Sequence, residues 1–189
     1  MKIVCLGDSL TAGMDRNDPS HWISILQKEA VHTYVNKGVC GDTSGGMLAR
    51  FYRDVVEEEA RCVILMGGEN DFIMGADGGV VQSNLMAMVH QAFFYQIVPV
   101  IGIPIILDPA IVRKDWAAFT NFGEIVQKTK EYRAWIYRFA ETFHVEVLDF
   151  QKAFERNAVG EWKDYFSDGV HPNEKGNRIM ADLILNVGM

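Results

Sequence analysis

Short unbroken apolar runs alternate along the chain with longer stretches in which apolar residues recur every three or four positions. A continuous apolar run closed by glycine or polar residues suits a strand buried on both faces, whereas the wider spacing suits a helix with one buried face. Strands are therefore predicted at Lys2 to Leu6, Thr33 to Asn36, Arg61 to Met66, Val98 to Ile103 and Val145 to Leu148. Pro99 falls at the start of its run, where a missing ladder donor is tolerated.

Helices are predicted between them. Asp18-Pro19 supplies a cap followed by proline at a first helical position, leading into Trp22, Ile23, Ile25 and Leu26 and on to about Ala30. Thr43 or Ser44 caps a second helix whose Met47, Leu48, Phe51, Tyr52, Val55 and Val56 share one face. Others run from about Val80 to Phe94, from after Asn121 to Phe143, and through Ile179, Met180, Leu183 and Ile184 at the end of the chain. Gly67 to Asp71 and Gly75 to Gly79 read as turns and loops, and Pro104 to Asn121 as the longest irregular stretch.

Parallel strands joined by single helices need right-handed crossovers that cover both faces of the sheet. The expected fold class is α/β: a three-layer α/β/α domain with a central five-stranded parallel sheet, flavodoxin-like, in the order 2-1-3-4-5. With no repeat or linker, residues 1–189 are expected to form a single domain. Ligands bind such sheets at the carboxyl ends of strands where the order reverses, which here sets Ser9, after the first strand, beside Asn70, after the third.

Composition narrows the partners. The 189 residues can bury a self-sufficient core. A formal charge of −7, spread along the chain, repels polyanions and argues against nucleic acid. The apolar runs are too short to span a bilayer, and the one before Gly7 is too short for a signal-peptide core, so a cytoplasmic protein is expected. Of the three cysteines, Cys5 and Cys62 lie in strand-like runs as small hydrophobes and Cys40 in a loop; disulfides are not expected. A homo-oligomer is compatible with the pattern.

The candidate chemistry starts at Gly7-Asp8-Ser9-Leu10, where a strand feeds into a turn. Serine is also a common helix cap, so Ser9 matters chemically only if a base reaches it. His21, His32, His90 and His144 fall in or beside predicted helices and strands; His171 lies in a turn, three residues after Asp168. A carboxylate at that spacing can accept from Nδ1–H and leave Nε2 to face a nucleophile. A neutral His171 is then required, and because ordinary histidines titrate near ~6.5, activity is expected to rise through roughly pH 6 to 8. Donors for a tetrahedral oxyanion are available in the Ser9 N–H, the Gly41 N–H and the Asn70 side-chain amide.

Gly7-Asp8-Ser9-Leu10, Gly41 within Gly-Asp-Thr-Ser, Gly68-Glu69-Asn70-Asp71 and Asp168-Gly-Val-His171 together resemble, in order and spacing, the four sequence blocks of the SGNH hydrolases, also called GDSL esterases and lipases. Asn36 through Arg50 is similar to the bacterial acyl-CoA thioesterase and lysophospholipase branch. The resemblance implies Ser9 as nucleophile, His171 as general base, Asp168 as its orienter, and Ser9, Gly41 and Asn70 as oxyanion hole, without cofactor or metal. The substrate class it implies is a small-molecule carboxylic ester, with thioesters, lysophospholipids and carbohydrate O-acetyl groups sharing the same intermediate. The segment after the fourth strand matches no spacing of that branch.

Asp8 beside Ser9, Phe72 and Met74 after Asn70-Asp71, and Trp116 in the irregular stretch are expected to contact substrate. Phe72-Ile73-Met74 and the residues Ile111, Trp116, Phe119 and Phe122 would line a pocket for short-to-medium acyl chains. Two other classes remain open on sequence. Asp8, Asp42 and Asp71 with His171 could form a dinuclear phosphoesterase site, which chelation would silence. Gly7 to Gly13 could instead cradle a flavin or nucleotide phosphate, in a protein that would not react with serine-directed phosphonates.

Overall fold

All five predicted strands form, and their interior alternation shows why runs apolar throughout were needed. In β1 (Lys2–Gly7), Ile3 and Cys5 face one layer while Val4 and Leu6 face the other; in β3 (Cys62–Met66), Ile64 and Met66 oppose Val63 and Leu65. With β2 (Thr33–Gly38), β4 (Val98–Ile103) and β5 (Glu146–Asp149) they make a parallel sheet of order β2-β1-β3-β4-β5. The computed structural model describes every residue except Arg16, with the backbone alone at Ala117.

On one face lie α3 (Ser44–Phe51), α5 (Gly78–Phe94) and α7 (Phe122–Phe143), which bury Met47, Phe51, Leu85, Met88 and Ile136 against Val4, Leu6 and Leu65. On the other lie α2 (Trp22–Glu29), α8 (Phe150–Asn157) and α9 (Glu174–Asn186), which bury Trp22, Leu26, Phe150, Phe154 and Met180 against Ile3, Cys5 and Ile64. At ~25 cal/mol per Å² of apolar surface removed from water, these two layers are the main source of stability. Among the described residues no helix is long and apolar enough to cross a membrane.

Several boundaries depart from expectation. α2 begins at Trp22 rather than at Pro19, because the Asp18 carboxylate accepts from the Ser20 N–H and hydroxyl and closes a local turn instead of capping a helix. α3 runs on into a wide turn at Tyr52–Val56. Two segments expected to be irregular contain short helices, α4 (Glu69–Ile73) and α6 (Lys114–Ala117), and α8 was not expected at all. A one-turn helix, α1 (Ser9–Ala12), follows β1 directly.

Register positions the site. Gly7 pairs with Gly38 on one side and Met66 on the other, so the chain leaves β1, β2 and β3 at one level of the carboxyl edge. Three loops therefore start side by side.

Candidate functional site

Ser9 owes its placement to Asp8. The Asp8 carboxylate accepts from the Leu10 N–H at 2.9 Å and caps α1, which leaves Ser9 as its first residue with the hydroxyl at the carboxyl edge of the sheet. Asp8 itself is 2% exposed. Burial, reinforced by the Asp42 and Asp71 charges and partly offset by the Leu10 N–H, pushes its carboxyl up to about 7. Glu69 lies near it, 5% exposed with Oε1 unpartnered, and burial together with the Asp8 charge holds that carboxyl well above the usual range.

The far end of the chain supplies the imidazole. In the turn before α9, Asp168 Oδ1 accepts from the Val170 and His171 N–H groups at 3.0 and 2.8 Å, while Oδ2 meets His171 Nδ1 at 2.7 Å. Burial opposes the charged form of Asp168, but these three hydrogen bonds outweigh it and hold its carboxyl below the usual range. The turn is braced by the Ser167 N–H on the His171 carbonyl and by a bridge between Phe166 and Pro172. His171 Nε2 then stands 2.9 Å from Ser9 Oγ, across 162 residues of sequence.

Gly41 adopts φ +76, a left-handed conformation that side chains disfavour, and opens onto free space. Gly68, at φ +119, turns β3 into α4 and so points Asn70 back toward the second loop. The Asn70 amide donates to the Asp42 carbonyl at 2.8 Å, which fixes its orientation and leaves its second N–H for another acceptor. Asp71 binds the next residue pair: it accepts from the Ser44 N–H and hydroxyl at 2.8 and 2.6 Å, and Asn84 donates to the same hydroxyl. Beneath both loops Arg50 donates to Asp42, Asp54 and the carbonyls of Lys37 and Gly7.

Ser9, Gly41, Asn70 and His171 line one groove of about 380 Å³, completed mainly by Met14, Ile73, Trp116, Phe119 and Phe122. Trp116 meets the His171 ring edge-on at 6.1 Å, and the Arg113 guanidinium carbon lies 4.9 Å from the centroid of the Trp116 ring, a cation above the indole. Cys40, an exposed free thiol, also borders this groove.

Three residues expected to contact substrate lie elsewhere. Asp8 is inside the protein as a cap, and Phe72, 3% exposed, packs edge-on against Tyr132 in the core. Met74 is 68% exposed beyond the end of α4; Ile73 takes its expected place in the groove. Because α4 is helical, successive residues diverge by about 100°, so only one of Phe72, Ile73 and Met74 faces the groove. Ile111 packs with the opposite layer. Sequence reasoning missed Arg50 as a brace; a cation between two acidic positions, Asp42 and Asp54, at eight and four residues was the available signal.

The donors proposed for two metal ions do not converge: Asp42 is spent on Arg50, Asp71 on Ser44 and Asp8 on Leu10. Among the described residues no three His, Cys, Asp or Glu side chains are grouped to hold an ion.

The chain is similar to several known proteins. An arylesterase of Vibrio mimicus is 25% identical over 97% of this chain and 86% of its own, and the thioesterase 1/protease 1/lysophospholipase L1 of Escherichia coli K12 is 26% identical over 95% and 79%. Esterase TesA of Pseudomonas aeruginosa is 32% identical over 48% of this chain, which spans about half that relative's length. Among solved structures, a G-D-S-L family lipolytic protein from Veillonella parvula superposes with a TM-score of 0.80 at 27% identity, covering 99% of this chain and 97% of that one. The profile of the GDSL-like lipase/acylhydrolase family matches residues 5–179, and the chain belongs to that family.

Proposed function

We propose that the protein hydrolyses carboxylic esters of short-to-medium acyl chains through an acyl-enzyme on Ser9. The observation that carries this reading is the continuous path from Asp168 Oδ2 through His171 to Ser9 Oγ, 2.7 and 2.9 Å, opening on an apolar groove. Ser9 Oγ attacks the acyl carbon while His171 Nε2 takes its proton; Asp168 holds the ring and its tautomer. The oxyanion is received by the Ser9 and Gly41 N–H groups and the free N–H of Asn70, donors fixed in place before the reaction begins. His171 returns the proton to the departing alkoxide, and a water then repeats the sequence to release the acid.

The groove supports the acyl side of this assignment, since its volume falls near the lower end of small-molecule sites, about 300–1,000 Å³. Thioesters and lysophospholipids, named for the Escherichia coli relative, pass through the same intermediate and belong on the same substrate panel. The test is stoichiometric labelling: an organophosphonate should abolish esterase activity at one equivalent, with the adduct on Ser9. Activity that survives labelling, or an adduct on another residue, defeats the proposal.

A further inference from the structure

On the other side of the Ser9–His171 pair lies a second, smaller cavity of about 160 Å³. Its character is opposite to that of the apolar groove. Asp18, His21, Ser167, Glu174 and Asn177 line it beside Ser9 and His171. Two of these are fully committed to structure or nearly so: Asn177 accepts from the Trp22 N–H and donates to the Pro172 and Asn173 carbonyls, and Asp18 Oδ1 serves Ser20. Asp18 Oδ2, the Glu174 carboxylate and the Ser167 hydroxyl retain accepting capacity.

His21 forms part of the wall. It is 6% exposed, yet its Nε2 is buried without a hydrogen-bond partner. That atom has no surface that a water-sized group could touch, so the contacts offered to a ligand are those of Asp18, Glu174 and Ser167. Burial depresses the ring below the ordinary imidazole range, with the Leu10 carbonyl and Asp18 acting the other way, so the ring is neutral at neutral pH.

Geometry assigns the two spaces different halves of an ester. The apolar groove holds the oxyanion donors Gly41 and Asn70, whereas among the described residues only Ser9, His171 and Met14 border both spaces. An acyl chain in the groove directs the alcohol oxygen past His171 Nε2, the atom that must protonate it. Acylation forms the Ser9 Oγ–acyl bond, breaks the acyl–alkoxy bond and delivers the serine proton through Nε2 to the alkoxide.

We propose, resting on the hydrolase reading above, that this cavity is the leaving-group site and that it selects a small uncharged polyol, of about glycerol size. At about 30 Å³ for each water-sized group, the volume suits roughly five such groups. Among the described residues its free partners are acceptors, which hydroxyl donors satisfy; an anionic alcohol would meet Asp18 and Glu174.

The matched pair 1-monohexanoylglycerol and propyl hexanoate differs only in two hydroxyls and isolates this site. Wild type should favour the glyceryl ester by about tenfold in kcat/KM, the scale of one to two net hydrogen bonds. Glu174→Gln should reduce that ratio about threefold, and the double variant Ser167→Ala, Glu174→Gln, at two exposed positions, should bring it close to one. A ratio near one in wild type, or one that survives the double variant, overturns the proposal, as does a preference for 2-aminoethyl hexanoate, which would make charge the selected feature. Should wild type cleave neither ester, the hydrolase reading falls, and glycerol titration of Ser9→Ala decides the site separately. A saturable shift of the His21 ring signals supports it, and an unchanged spectrum overturns it.

Discussion

The Arg50 guanidinium donates to the Gly7 carbonyl at 2.9 Å, joining α3 to the last residue of β1, one position before Asp8. The same group reaches the Lys37 carbonyl and the Asp42 carboxylate, so one cation ties the loop that carries Ser9 to the loop that carries Gly41. Its side chain is 10% exposed. Arg50→Ala would leave Asp42 and Asp54 largely buried without their cation, at a cost of about 3 kcal/mol, which urea unfolding would measure. Arg50→Lys keeps the charge but cannot reach four acceptors from one plane. It should therefore fold while losing at least tenfold in kcat at nearly constant KM. Unchanged kcat in Arg50→Lys would show that the two loops hold their spacing without it.

Asn70 tests the oxyanion assignment separately from the nucleophile. Ser9→Ala should remove essentially all turnover, because the attacking atom is gone. Asn70→Ala should reduce kcat by about 10²-fold with little change in KM, since its free N–H bonds the oxyanion more strongly than the ground-state carbonyl. A loss confined to KM would place Asn70 in substrate binding instead.

Asp168→Asn keeps the shape of the turn but can offer an amide N–H to His171 Nδ1, favouring the wrong tautomer. The loss in kcat should approach ~10⁴-fold, as in serine proteases. Because hydrogen bonds hold the folded-state pKa of Asp168 below its unfolded value, its contribution to stability is present above about pH 4 and is lost as pH falls through the folded value. Wild type and Asp168→Asn should thus converge in urea midpoint only under acid. Convergence already at neutral pH would mean that the carboxylate is not held as described.

Asp8 and Glu69 carry the opposite sign. Their folded-state pKa values are raised, so the folded protein holds more protons than the unfolded chain between about pH 4 and the folded value, about 7 for Asp8. Their contribution is fully present below about pH 4 and is lost as pH rises through that window. For Asp8 this amounts to on the order of 2–4 kcal/mol, at 1.36 kcal/mol per pKa unit. Stability by urea unfolding should fall between pH 5 and 8, and Asp8→Asn, which can still cap α1, should flatten that fall. An equally steep decline in Asp8→Asn would assign it to other groups.

What was legible in the sequence divides by the range of the interactions involved. Strands β1, β3 and β4 were plain because a sheet covered on both faces leaves only apolar positions, and the Asp168–His171 pair was plain because both partners sit in one turn. α8 was hidden: Phe150 and Phe154 mark one face, but the run between β5 and Asn157 is polar enough to read as loop, and its Asp149 cap lies inside the strand. Arg50 was hidden for another reason, since two of its acceptors are backbone carbonyls 13 and 43 residues away, which no side-chain pattern announces. The phase of α4 could not be read because a five-residue helix between glycines has too little periodicity to show which side is buried.

That phase makes the acyl-chain prediction sharper. Ile73 and Trp116 line the groove, Phe122 closes it from the start of α7, and Met74 points away into solvent at 68% exposure. Each methylene buried against these side chains contributes up to roughly 0.8 kcal/mol, nearly fourfold in kcat/KM if held in the transition state. Across p-nitrophenyl esters of increasing length, kcat/KM should climb by one to two orders of magnitude and then level once the groove is filled. Trp116→Ala removes the wall beside His171 and Ile73→Ala the wall beside Asn70, so each should flatten the climb; Met74→Ala should reproduce the wild-type profile. Acetate as the best acyl group, or a profile indifferent to both Trp116→Ala and Ile73→Ala, would empty the groove of its role and leave a deacetylase acting on a carbohydrate as the better account of the same catalytic residues.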